Sequence, residues 1–321
     1  MPQPTAGDVH VDAVLTNISV AFIQDQKMYV ATKVFPVIPV DKQSNKYYSF
    51  DKNDWFRDEA KPRADATESA GSGYGLSTDT YFCDPYAIHK DVGNQARKNA
   101  DPGVNLDESA TRFVTGRMLL RQEIQWVTDY FALGIWGTDV EGGAGNDFTQ
   151  WNDYADSDPL DDFEGGKEQV LSTTGYEANT LVLGYQVWRK LKRHPDLVDL
   201  IKYTGRDSIT PELLAKILEI DNVYVAKAVK ATNAEGVAAA YDFTHGKNAL
   251  LCYANPNPGL LEPSAGYIFA WTALSEGLGE AIGVSQFYLN KEKADRFEAE
   301  AGWDNKVVAS DMGYFYSGAV A

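Results

Sequence analysis

Between Asp158 and Ile201 the chain runs DPLDDFEGGKEQVLSTTGYEANTLVLGYQVWRKLKRHPDLVDLI, an order that few architectures accommodate. Asp158, or Ser157 before it, is placed to cap a helix whose first position is Pro159, where a fixed φ and a missing N–H cost nothing. That helix is expected to reach about Ser172, although Gly165 and Gly166 weaken it. Thr180–Leu183 is short and apolar, which predicts a buried strand. Tyr185–Arg193 is helical again and stops at His194-Pro195, because the residue before proline is driven out of the α region. His194 is expected at the helix C-terminus, where a partial positive charge suits the dipole. Helix, turn, buried strand, helix, stop describes a mixed α+β core, and the stretch carries no catalytic residue set.

The rest of the chain supplies three unusual pieces. Residues 1–40 form an extended arm with some apolar content. In it Val14–Phe22 suggests a short helix or strand, and VFPVIPV (Val34–Val40) carries Pro36 and Pro39, which exclude a regular central strand. Residues 41–90 suggest one long hairpin. Its limbs are Asn45–Phe50 and Tyr74–Ile88, the second alternating at Tyr74, Leu76, Thr78, Thr80 and Phe82. The intervening tip, FRDEAKPRADATESAGSGYG, is charged, then small and glycine-rich, and far looser than a turn inside a compact domain. Residues 105–133 form the strongest helix, roughly 40 Å long. Asn105 and Glu108 resemble a capping box, and Leu106, Ala110, Phe113, Leu120, Ile124, Val127 and Phe131 outline an apolar stripe broken only at Arg117. Gly134 and Gly137 end it. Downstream, Thr210-Pro211 opens a further helix. Val223–Val229, Ala249–Tyr253, Tyr267–Leu274 and Val284–Leu289 are predicted strands, and Lys306–Ala309 and Tyr314–Ala319 are predicted to close the chain as a pair.

With 46 acidic against 29 basic residues the net charge is −17, which argues against a protein that grips nucleic acid by sequence. Such charge serves plain solubility, and it equally suits the inner wall of a shell that must not stick to its contents. The 44% apolar content excludes global disorder. The two cysteines, Cys83 and Cys252, are expected as reduced, partly buried thiols. The start MPQPTAGDVHVD has no basic segment followed by an apolar core, so no secretory signal is expected. No run approaches the length of a membrane helix.

Reactive motifs are missing. The acidic run Asp153, Asp156, Asp158, Asp161, Asp162 and Glu164 fails calcium-loop spacing, with Leu160 where a ligand is needed and Asp161 where the turn glycine belongs. Helix capping and a solvated loop account for it. His10, His89, His194 and His245 are isolated, so no zinc site is expected. There is no Gly-x-Ser-x-Gly elbow and no phosphate-binding P-loop. No catalytic residue, cofactor or metal is predicted.

The order of these pieces resembles the major capsid proteins of tailed bacteriophages, with the Hong Kong 97-like fold, over about residues 30–319. VFPVIPV and the hairpin look like the arm and extended loop, 105–133 like the spine helix, and VWRKLKRHPDLVDLI with SITPELLAKILEIDNVYVAKAV like the axial domain. ALLCYANP and DNKVVASDMGYFYSGAV look like strands returning to the peripheral domain. The resemblance implies an arm over 1–40, an extended loop over 41–90, a peripheral domain over 91–179, an axial domain over 180–283 and return strands over 284–321. It implies hexamers and pentamers that close an icosahedral shell around double-stranded DNA, in the virion capsid. On this reading the tip residues Arg57, Asp58, Glu59, Lys61, Arg63 and Asp65 bridge subunits. Phe113, Leu120, Ile124, Val127 and Phe131 form the spine core, and Gly103 and Gly134 act as hinges. As the chain starts close to its arm without a long helical leader, a separate scaffolding protein is expected, with Met1 arguing against a cleaved precursor. A portal and a decoration protein are the further partners, and no membrane is involved. An encapsulin-type shell that packages an enzyme is the alternative within the fold. An acidic hydrolase or carbohydrate-binding module using its 7 Trp and 18 Tyr is the alternative outside it.

Overall fold

The computed structural model describes residues 24–50, 52–100, 105–201, 209–259, 262–274 and 283–321. Val14–Phe22 and Gly103 lie outside them. The arm enters through α1 (Ala31–Val34) into β1 (Val37–Val40). A ribbon follows, β2 (Ser44–Phe50), α2 (Lys52–Trp55) and β3 (Leu76–Phe82), then β4 (Asp84–Gly93), α3 (Asn94–Asn99) and the spine α4 (Leu106–Tyr130). Next come β5 (Thr138–Glu141), α5 (Pro159–Thr174), β6 (Thr180–Gly184), α6 (Tyr185–Leu191), α7 (Pro195–Ile201), α8 (Pro211–Ile217) and β7 (Asn222–Ala226). The chain closes with β8 (Val229–Ala231), β9 (Tyr241–Phe243), β10 (Ala249–Cys252), β11 (Gly266–Trp271), β12 (Gly283–Leu289), β13 (Ala294–Val307) and β14 (Gly313–Ser317).

Two five-stranded sheets organise these elements. The first runs β1-β11-β13-β12, with β4 on the other side of β13. Proline-bearing β1 takes the edge, parallel to β11, where a missing N–H breaks no ladder. Arg296 and Asp91, cross-strand partners in β13 and β4, form a two-bonded ion pair at 2.8 and 2.9 Å that holds the Asp91 carboxyl below its ordinary range. The second sheet runs β5-β14-β10-β6-β7 and is buried on both faces. Val182, Leu250, Cys252 and Phe315 point to the spine. Leu181, Leu183, Leu251 and Tyr316 point to α5, α6 and α8. Two-sided burial is why β6 and β10 are continuous apolar runs in sequence.

Local chemistry places the helix ends as expected. Asn105 accepts from the Glu108 N–H, Asp158 from those of Leu160 and Asp161, and Thr210 from that of Leu213. Gly166 has a packing reason: a Cβ there would lie 2.4 Å from the Tyr316 hydroxyl, which crosses α5 to donate to the Asp162 carbonyl at 2.7 Å.

Several expectations are corrected. The buried stripe of α4 is Ala110, Val114, Met118, Trp126 and Tyr130. Phe113, Leu120, Ile124 and Val127 lie beside it, half-buried, while Phe131 is buried just past the helix. Both stripes have helical spacing, and two sheets meeting the helix select the one with the two large rings. The hairpin ends at Cys83. Beyond it β4 leaves β3 and joins β13, because Ile88 and Val92 find apolar cover only there. Residues 306–309 do not pair with the last strand. They overlap the end of β13, which lies in the first sheet, whereas β14 lies in the second. Most of β13 went unrecognised because FEAEA alternates Ala with Glu, residues poor in β propensity. The division at residue 284 also fails to follow the sheets, since β11 belongs to the first sheet and β14 to the second.

Met118→Asp is expected to abolish cooperative folding by burying an unpaired charge. Trp126→Ala should cost ~3–5 kcal/mol in urea denaturation followed by fluorescence. Ile124→Asp should stay folded, and a variant as damaged as Met118→Asp would refute this assignment of the buried face.

Candidate functional site: the ribbon, its groove and the spine

The ribbon is two strands in register from Ser44↔Phe82 to Phe50↔Leu76. One face is anchored: Tyr47 and Tyr81 stack on Phe269 of β11 with centroids 5.5 and 4.5 Å apart, over buried Cys83. The Tyr47 hydroxyl donates to Asp79 at 2.9 Å, and burial pushes its pKa up. The Phe82 N–H donates to Asp304 at 2.8 Å. Farther out, Asp54 accepts from the Gly75 N–H at 2.8 Å, the Trp55 and Tyr74 rings meet at 5.4 Å, and Lys52 pairs with Asp311. The opposite face and the outer end remain uncovered. Tyr48, Trp55, Phe56, Tyr74, Leu76 and Phe82 are each more than half exposed. A two-stranded ribbon is marginal alone, and clustered exposed aromatics mark an interaction surface. Beneath the ribbon runs a groove of about 820 Å³, walled by Tyr48, Trp55 and Phe56 on one side and Tyr176, Pro258 and Pro263 on the other.

At the ribbon tip, Arg57, Asp58, Lys61, Arg63 and Asp65 are exposed and Glu59 is half-buried. The six share one loop, and none forms an ion pair with a described residue. Gly134, beyond the spine, has φ +81° and donates its N–H to the Asp139 carboxylate at 2.5 Å. Among the described residues no group of three or more His, Cys, Asp or Glu is placed to hold a metal ion.

The sequence reading missed a buried polar cluster where arm meets spine. Glu123, on α4, is fully buried and accepts from the N–H groups of Val30 (3.0 and 3.2 Å) and Ala31 (2.9 Å). Nδ1 of His245 lies 3.7 Å from Glu123 Oε1 and 3.0 Å from the Thr244 hydroxyl. The His245 ring packs on Trp126 and Phe131 at 5.5 and 4.8 Å. Burial pushes the Glu123 carboxyl up to about 7, against the opposing pull of the two N–H donors and Lys33. Burial takes His245 down to about 3. The available signal was a charged residue flanking Gln122 on an otherwise apolar stripe.

His194 also differs from expectation. It is fully buried, and burial lowers its pKa, so it is a neutral ring rather than a cation at a helix end. Its Nε2 lies 3.0 Å from the Ser157 hydroxyl and its Nδ1 3.4 Å from Asp196, the connectivity of a nucleophilic triad. Ser157 spends its proton on the Asp153 carbonyl. The trio is a strut that fixes the acidic loop to the end of α6.

A spine helix shared by two sheets, the second of them walled by helices on its other face, and an outreaching ribbon define the Hong Kong 97-like fold. No protein-family model matches the chain. The major capsid protein of Burkholderia phage BcepMu is 26% identical over 264 residues, covering 80% of this chain and 82% of that protein. That of Pseudomonas phage JBD67 is 24% identical over 323 residues, 97% of each. A phage-related protein from Bordetella bronchiseptica RB50 superposes with a TM-score of 0.70 at 24% identity, over 92% of this chain and 94% of that one. The capsid of cyanophage P-SCSP1u gives 0.60 at 10% identity, over 94% and 90%. The encapsulin of a holo-SrpI complex from Synechococcus elongatus PCC 7942 gives 0.51 at 10%, over 96% and 95%. The chain is a major capsid protein of the tailed-phage kind, and its place is the virion capsid.

The buried pair generates a pH signature. The Glu123 pKa rises from 4.5 unfolded to about 7 folded, so its contribution to stability is full below pH 4.5 and is lost as pH rises through 7. The His245 pKa falls from 6.5 to about 3, so its contribution is full above pH 6.5 and is lost as pH falls. Between pH 4.5 and 6.5 the two slopes oppose. Glu123→Gln should unmask the histidine alone, adding about 1.4 kcal/mol per pH unit of acid destabilisation relative to wild type in that window. Urea denaturation at four pH values measures it, and parallel profiles would exclude the pair.

Proposed function

We propose that copies of this chain join as hexamers and pentamers and close an icosahedral head around double-stranded DNA, with each ribbon lapping over a neighbouring copy. The observation that carries this reading is the ribbon itself: six large apolar side chains held in water beside a groove of matching chemistry. Covering them on a neighbour yields roughly 25 cal/mol per Å², and a closed shell multiplies each modest contact through avidity. The mixed charges of Arg57, Asp58, Glu59, Lys61, Arg63 and Asp65 then set register between subunits more than affinity. Gly103 and Gly134 are the hinges that let one spine serve five-fold and six-fold rings. Assembly draws on a separate scaffolding protein and a portal, with a decoration protein as an outer partner. The chain acts by contact and turns nothing over. An encapsulin-type shell is the second reading, supported by the encapsulin superposition; the phage relatives, which align along as much as 97% of the chain, favour the head.

Electron microscopy and sedimentation of the purified protein, alone and with candidate scaffold, should reveal rings or closed shells. A chain that stays monomeric under both conditions would overturn the shell reading. Deleting Ala60–Ser72 should leave a folded subunit that assembles poorly, and normal shells from that deletion would remove the lapping role.

A further inference from the structure

A cation cluster lies on the last turn of α6 and just beyond it. Arg189, Lys190, Lys192 and Arg193 fall within five residues, and Lys247 faces Arg189 and Lys190 across a cleft of about 230 Å³ that Val320 and Ala321 also line. Arg189, Lys192, Arg193 and Lys247 are exposed and Lys190 is half-buried. None of the five forms an ion pair or a side-chain hydrogen bond among the described residues. Elsewhere cations are used: Arg97, Arg112 and Arg296 pair with carboxylates, and Arg117 and Arg121 lie over aromatic rings. Carboxylates are close at hand. Tyr154 reaches the Lys190 carbonyl at 3.4 Å and Ser157 reaches His194, which brings the loop of Asp153, Asp156 and Asp158 against the end of α6. Asp196 follows the cluster directly, and its near partner is His194. Among the described residues none of these acids forms an ion pair with the five cations; the one close contact is that of Asp196 with His194.

Such a patch is out of keeping with a chain of net charge −17. Two copies of that charge repel unless their contact is locally complementary. A ring contact is head-to-tail, so the two patches that meet in it are different surfaces of the subunit. The ribbon tip, with three cations and four anions, is near neutral, whereas the cluster at the end of α6 is cationic throughout. We infer that the α6 face, Arg189, Lys190, Lys192, Arg193 and Lys247, is a docking surface for a carboxylate-bearing surface of a second copy of this chain. This rests on the shell reading. The occupant follows from charge complementarity: a copy with 46 acidic against 29 basic residues offers carboxylate-rich surface, and a head-to-tail contact brings a different face of a neighbour to this one. The Tyr185 and Phe243 rings, 5.3 Å apart beside the cleft, give the aliphatic stems of Arg189 and Lys190 an apolar floor.

The test is the triple variant R189E/K192E/R193E beside wild type, with and without scaffold, scored by sedimentation, electron microscopy and nucleic-acid content. Circular dichroism and thermal unfolding report folding. The inference expects a folded subunit whose shell yield drops about tenfold or more, and wild-type assembly that weakens as salt is raised. Wild-type yield from the reversed chain overturns it. Normal shells that hold less DNA also overturn it and assign the patch to phosphate instead. Should the triple variant misfold, single K192E and R193E changes, beyond the last turn of α6, carry the same comparison. A wild-type chain that never assembles defeats the shell reading, whereas an assembling wild type matched by its variant defeats the α6 inference alone.

Discussion

The buried face of the spine helix is the contact on which the rest depends. Trp126 and Tyr130 are fully enclosed, and their cluster includes Ile268, Ala301 and Trp303 of one sheet and Val182, Leu250 and Phe315 of the other. One helix face is thus shared by two sheets that have no strand in common. The Tyr130 hydroxyl strengthens the joint by donating to the Tyr267 and Lys306 carbonyls at 2.7 and 3.2 Å. Phe35 of the arm packs 4.7 Å from the same ring. An element serving three bodies at once tolerates little change in volume.

The ribbon proposed to serve assembly is built on opposite terms. The ribbon is pinned at its base by Tyr47, Tyr81 and Phe269 and left apolar and uncovered beyond it. The Lys52–Asp311 pair across the groove is half-exposed, a contact worth little in water. Such a segment can exchange its own body for a neighbour's at low cost, and a packed core cannot.

Glu123 adds a polar tie to the apolar contact that Val30, Ala31, Val34 and Phe35 of the arm make with the spine core. A buried carboxylate takes two backbone N–H groups that would otherwise go unpaired and ties Val30 and Ala31 to the spine. Its cost is desolvation, which raises its pKa; the neighbouring His245 meets the same environment and moves the opposite way.

Local chemistry was legible in the sequence because it depends on near neighbours. Asn105, Asp158 and Thr210 cap their helices, Pro39 sits on an edge strand, and the two-sided runs at Thr180 and Ala249 are buried strands. The resemblance, read from element order, pointed to the capsid fold. Pairing and face were decided only in three dimensions. Steps of three and four residues permit two adjacent stripes on α4, and the sheets chose the one with Trp126 and Tyr130 over Ile124 and Val127. Ala and Glu alternate in β13 without β propensity, so only the strands on either side make it a strand. The loose charged tip was visible in the sequence as a feature, while the exposed aromatic face, the groove and the Glu123–His245 pair come from residues far apart in the chain. Sequence by itself determined where elements start, stop and cap, since those are contacts within a turn. Tertiary structure decided what is buried, since burial depends on which distant surface arrives.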